Sequence, residues 1–250
     1  MPNHVKNVIT VENVTEKRFK QISEFVASEK QAFDFNKIVP MPEELNLEEG
    51  GANDFFKDLW KKFGGLIGCD PDPDADYNDI LHMMTAYELD AARRYIEGHG
   101  RKDGEPMSDL SIVKEAMRRG YQYLRNREMY GGCETWYGWC IENWGTKWNA
   151  YYICEPEDEA FGWEFNTAWS APEPVLTVLS AIFRNARFIL RYADEDLGQN
   201  CGIIVFENGE KDEFPALTEE IAYQFAVNLW RYSPEDLDDE DDEDDEDEED

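Results

Sequence analysis

Positive charge is what this sequence has least of for its size: 24 lysines and arginines stand against 56 aspartates and glutamates, a formal net charge of −32. A field of that sign repels nucleic acid phosphates and anionic lipid headgroups, so direct binding to either is not expected. Histidine is scarcer still. His4, His82 and His99 are too far apart for a local metal motif, and none lies at ligand spacing from a cysteine. The five cysteines, Cys69, Cys133, Cys140, Cys154 and Cys201, include no close Cys-x-x-Cys pair, and a basic region followed by an apolar run is missing at the N-terminus. Reduced thiols and a cytoplasmic location are therefore expected, with Cys140 and Cys154 in the core. Long apolar runs are also lacking: the stretch Val175 to Phe183 is far short of a bilayer span, so no membrane segment is expected. A nucleophile elbow, a phosphate loop and a metal pattern are all absent, and neither enzymatic activity nor a cofactor is expected.

What is present is a folding composition, 42% hydrophobic and 14% aromatic, joined to an acidic end. Residues 235–250 hold 15 acidic groups and no basic one, which leaves 41 acidic against 24 basic groups, or −17, in the body. A run of like charge with one apolar residue, Leu237, cannot bury enough surface to offset chain entropy, so 233–250 is expected to be a disordered tail. Cationic partners are favoured.

The chain is organised around Trp136 to Asn149, which places four of the eight tryptophans within thirteen positions. Trp136, Cys140 and Trp144 recur at i, i+4 and i+8 and share one helical face, and Gly145 is placed to end that helix in a left-handed turn. Lys147 lies between Trp144 and Trp148, so a cation–π contact is expected, and Asn149 is placed to satisfy backbone groups of the turn. The spacing favours a packed corner with Trp144 and Trp148 largely buried. The alternative is a binding site made by Trp144, Lys147, Trp148, Asn149 and Trp169.

In chain order, Val5, Ile9 and Val11, with Val8 opposite, predict a strand, and Thr15 caps a helix carrying Phe19, Ile22, Phe25 and Val26. Phe33 to Val39 reads as a second strand, which gives an N-terminal βαβ unit over 1–45. Residues 46–132 change character. Gly50-Gly51, Gly64-Gly65 and Asp70-Pro-Asp-Pro-Asp-Ala-Asp76 mark loops, Ile80, Met83, Met84, Tyr87 and Ala91 fit one helix, and Ser108 caps another; this is a helical insertion. Strands return at 150–154 and 161–167, followed by a helix over 172–185, strands at 187–192 and 202–207, the hairpin signal Asn208-Gly209, a short strand at 210–214, and a last helix opened by Thr218. From Phe161 onward this is β-α-β-β-α, the ferredoxin-like order without its final strand. The expectation is an α+β fold, a permuted ferredoxin-like antiparallel sheet over 133–232 in which strand 150–154 fills the vacant edge.

Asn3-His4-Val5 with Asn7, Phe35-Asn-Lys-Ile38, Pro40-Met-Pro-Glu-Glu-Leu45, Trp144-Gly-Thr-Lys-Trp-Asn149 and Thr167-Ala-Trp169 before Pro172 resemble the phage and plasmid YubB-like family. The resemblance implies a ferredoxin-like C-terminal domain. It brings no biochemical activity and assigns no residue a role.

Asp70, Asp72, Asp74 and Asp76 have the alternate spacing of a calcium loop, but Ala75 stands where glycine is needed and Leu81 where a bidentate glutamate is needed, so a solvated loop is expected. Glu155, Glu157, Asp158 and Glu159, and likewise Asp194, Glu195 and Asp196, are expected as solvated turns. Three classes of function remain. The first is an acidic interaction protein of mobile-element type that inhibits a basic, nucleic-acid-binding host protein by charge mimicry. The second is a module binding a nucleotide-like anion at Trp144 to Asn149, and an enzyme assembled only in the fold stands last.

Overall fold

The computed structural model describes residues 3–72, 74–98, 106–156 and 161–233. The chain divides into two compact units, one built from Met1–Pro40 and Cys140–Asp250 and the other from Met41–Trp139.

The first unit is organised by β1 (His4–Glu12), whose Val5, Asn7, Ile9 and Val11 are buried on one face and Val8 on the other. Thr15 accepts from the Arg18 N–H and starts α1 (Glu16–Val26), as its capping chemistry predicts. Phe33 to Val39 is a correction. Asp34 accepts from the Asn36 N–H and begins a short helix, α2 (Phe35–Ile38), where a strand was expected. Phe33 and Phe35 alternate as a strand would, but Phe35 and Ile38 follow helical spacing, and all three are buried. There is accordingly no N-terminal βαβ unit, and residues 1–45 do not stand apart.

After the second unit the chain returns through α7 (Trp136–Trp144) to β2 (Tyr151–Cys154), β3 (Gly162–Ala168), α8 (Glu173–Ile182), β4 (Arg187–Asp194), β5 (Gly202–Glu207), β6 (Glu210–Glu213) and α9 (Glu219–Trp230). The six strands form one sheet in the order β2-β3-β1-β4-β5-β6, antiparallel throughout. Along the chain, β1-α1-β2-β3-α8-β4 is β-α-β-β-α-β, with the first strand lying between the third and the fourth; this is the ferredoxin-like arrangement in direct order. The expected ferredoxin-like α+β sheet is present, but no permutation is needed. The strand missing from the C-terminal half is β1, and it takes the middle of the sheet, while β5 and β6 extend one edge.

One sheet face carries the aromatic core: Phe33 stacks on Phe165 at 5.1 Å, Phe35 meets it edge-on at 5.9 Å, and Phe19 lies over Trp163 at 5.1 Å. The other face holds Val8 and Ala193, packed against Ala226 and Leu229 of α9. The Trp230 indole N–H is within reach of the carbonyls of Ala193 and Asp194 at 3.2 and 2.9 Å.

The second unit is helical, as expected of an insertion. Its α3 (Ala52–Phe63), α4 (Asn78–Met83), α5 (Ala86–Glu97) and α6 (Asp109–Met129) close around Phe56, Ile80, Ala92, Ile112, Val113, Met117 and Tyr123. The single helix expected through Ile80 and Ala91 is two. Thr85 and Glu88 form a reciprocal capping box that starts α5 afresh, which leaves Met83 and Tyr87 exposed. Ser108 caps α6 through the Ser111 N–H.

The C-terminal end of α9 is tied to the sheet by charge. Glu164 on β3 is buried, with Lys6 Nζ at 2.7 Å and the Arg231 guanidinium donating to both its oxygens at 3.1 and 2.7 Å. Burial pushes the carboxyl up, but the hydrogen bonds and charges of Lys6 and Arg231 outweigh it and hold the group below its ordinary 4.5. A depressed folded value means that the triad's stabilisation is complete above about 4.5 and is lost as pH falls through the folded value. Glu164→Gln should destabilise at neutral pH by an amount near the low end of about 3–5 kcal/mol, because Arg231 is partly exposed. Thermal melts should show the gap from the native chain closing as pH drops below about 4, and a gap constant with pH would contradict the assignment.

Candidate functional site

The tryptophan-rich junction follows from how α7 ends. The Gly145 N–H donates to the Ile141 carbonyl at 3.2 Å with φ of 79°, and a Cβ there would lie 2.7 Å from Pro174 Cδ, so the turn requires glycine. Trp144 is buried, as expected, and its indole N–H donates to the Val39 carbonyl at 2.9 Å while its ring meets Phe35 edge-on. Thr146 donates to the Ala168 carbonyl at 2.8 Å and accepts from its N–H at 3.1 Å. Asn149 accepts from the N–H groups of Phe35 and Ala150, both at 2.9 Å, and donates to Asp34 at 2.7 Å. Trp144 and Asn149 thus clasp the segment leading out of α1 against the segment leading into β2.

Lys147 and Trp148 face the other way. With Trp144 and Thr146 turned inward, Trp148 is left 38% exposed, which corrects its expected burial. Lys147 Nζ lies 4.7 Å from the Trp148 ring centre and 4.8 Å from that of Trp169, which takes the place expected of Trp144. Trp169 is 40% exposed and holds a left-handed backbone with φ of 70°. Its N–H donates to the Asn3 carbonyl, and its own carbonyl accepts from Asn200, which fixes this uncommon conformation from both sides. The five candidate residues therefore divide: Trp144 and Asn149 hold the backbone, whereas Lys147, Trp148 and Trp169 form a stack at the surface.

Beside the stack is a polar cluster that sequence reasoning missed. Tyr151 donates to the Thr167 carbonyl at 3.0 Å and lies 2.6 Å from His4 Nδ1; since a phenol has one proton, the imidazole donates to it. Burial, with the Glu195 charge, pushes the Tyr151 phenol up to about 12. Asp194, expected in a solvated turn, is buried and accepts from Asn3, Asn200 and the Asp196 N–H. Of the motifs quoted above, Asn3-His4-Val5 with Asn7 and Thr167-Ala-Trp169 each supply members of this cluster.

The remaining candidates stay apart from the junction. Asp72 accepts from the Asp74 N–H and Asp76 from Asn78, so both carboxylates turn to their own loop. Among the described residues, no three His, Cys, Asp or Glu side chains are grouped to hold a metal. Cys140 is buried as expected, but Cys154 is exposed on the edge strand β2, because a two-sided pattern at a sheet edge leaves one side in solvent. Glu155 is exposed, while Glu157, Asp158, Glu159 and the acidic tail lie outside the described residues. No helix among the described residues is long and apolar enough to cross a membrane.

Sheet order and clasp together define a ferredoxin-like α+β domain interrupted after α2 by a helical unit. Residues 147–249 match the family model described as a ferredoxin-like domain in Api92-like protein. This part of the chain is similar to that family's domain, in agreement with the YubB-like resemblance. The match begins after β1, so the central strand lies outside it. Among solved structures, protein api92 from Yersinia pseudotuberculosis is similar at 11% identity and a TM-score of 0.35, over 87% of this chain and 100% of that one. No curated protein matches.

Trp144→Ala should cost about 3–5 kcal/mol, the range for removing a buried large aromatic. Trp148→Ala should cost roughly 1–2 kcal/mol, since the ring is already part in water and loses mainly its cation–π contact. Urea titrations of the two variants would check this ordering, which equal losses would overturn.

Proposed function

We propose that the protein is an acidic interaction protein that engages a basic, nucleic-acid-handling host protein and occupies its nucleic acid site by charge mimicry. The supporting observation is where the positive charge goes. Among the described residues, at least thirteen lysines and arginines are in ion pairs with the chain's own carboxylates. Lys211, for example, is shared by Glu173 and Glu213 at 2.7 and 2.5 Å. What such a surface offers to a partner is the excess of carboxylate. A body of net charge −17 concentrates cationic grooves around itself, and the acidic C-terminal run adds to the rate of encounter.

A second reading rests on the surface stack. Lys147 between two part-exposed indoles would suit a planar anion of nucleotide type, and quenching of tryptophan fluorescence by added nucleotides would favour it.

Association with a purified basic partner, followed by surface plasmon resonance across a salt series, tests the first reading. Binding should weaken steeply as the Debye length falls from about 10 Å at 0.1 M to about 3 Å at 1 M, and duplex DNA should compete. Removal of residues 235–250 should slow association more than it speeds dissociation. Salt-insensitive binding that DNA leaves undisturbed would rule out charge mimicry.

A further inference from the structure

Helix α9 turns Ala226 and Leu229 toward the sheet and carries Glu220, Gln224 and Asn228 on its outward side, with apolar side chains exposed along its flanks. Ile221 is 55% exposed and Tyr223 44%, and with Phe225 they line an open groove of about 990 Å3 between the helix and the loop 197–199. The loop edge of this groove is closely fitted. Gly198 has φ of 85°, and a Cβ on it would lie 3.4 Å from Tyr223 Cα, so the loop rests directly on the helix backbone. Single exposed apolar side chains are ordinary on a protein surface, whereas several gathered along one groove mark a contact site.

The rim specifies the occupant by charge. Among the described residues no lysine or arginine lines the groove, while Glu219 and Glu220 are exposed on its helix side and Gln199, Gln224 and Asn228 supply neutral polar groups. An apolar floor with a carboxylate rim complements a segment that carries apolar side chains on one face and cations beside them. We infer that this groove docks a basic amphipathic helix of a protein partner, with its aliphatic or aromatic face against Ile221, Tyr223 and Phe225 and its lysines or arginines against Glu219 and Glu220. The inference rests on the charge-based function proposed above and gives that function a contact surface. It differs from diffuse attraction in one respect: apolar contact is required.

The test uses the full chain and two synthetic Lys/Leu peptides of identical composition, one forming a helix with a single apolar face and the other with its leucines dispersed. Affinity is read by fluorescence anisotropy and location by backbone amide shifts. The amphipathic isomer should bind more tightly, with shifts gathered in 197–199 and 219–228. Ile221→Ser with Tyr223→Ser should weaken it by at least about tenfold, the loss expected for truncating contact anchors, and Ile221→Lys alone should act in the same direction. Glu219→Gln with Glu220→Gln should weaken binding and flatten its salt dependence. If both isomers bind equally and the groove variants have no effect, or if the shifts fall elsewhere, the groove assignment is overturned while charge-driven binding stands. If neither peptide binds, both fail.

Discussion

The pairing of β1 with β3 on one side and β4 on the other is the constraint on which the first unit depends. A strand in the middle of a sheet has both rows of backbone groups paired, and because α9 packs on the second face here, the residues of β1 serve two cores at once. Val5, Ile9 and Val11 meet the aromatic core, and Val8 meets α9. Because β1 comes from one end of the chain and its neighbours from the other, neither end can complete this sheet alone. The clasp by Trp144 and Asn149 follows from the same arrangement: the chain leaves the sheet unit near Val39, returns near Cys140, and is fastened where the two passes meet.

Much of this was legible locally and less of it globally. The caps at Thr15 and Ser108, the Asn208-Gly209 hairpin, the Gly145 turn and the strands of the C-terminal half could be read because each is decided by side chains within a few residues. Strand partners are decided by contacts across the chain. The β-α-β-β-α run from Phe161 called for one more strand, and nothing local to β1 marked it as that strand in preference to 150–154. Phe33 and Phe35 misled for a related reason: two alternating aromatics satisfy a strand pattern as well as the entry to a short helix, and the Asp34 cap decided between them.

At the candidate site, Trp144 and Asn149 were legible because a buried indole and a turn asparagine each have few ways to satisfy their polar groups. Whether Trp148 was buried or exposed was not, since the course of the turn there is set by the pairing of Thr146 with Ala168, distant from it in sequence. Trp169 stands beside Lys147 only because the end of β3 is held by Asn3 and Asn200, partners distant in sequence. The polar cluster around His4 and Asp194 was hidden for the same reason, being assembled from residues at opposite ends of the chain.

Native-state hydrogen exchange of β1 tests the two-ended sheet most directly. If β1 is the central strand, its amides should exchange only through global unfolding, at the same free energy as β4, whereas those of the edge strands β2 and β6 should open at lower free energy. Amides of β1 that exchange as readily as those of β6 would contradict the placement of the N-terminal strand at the centre of the fold.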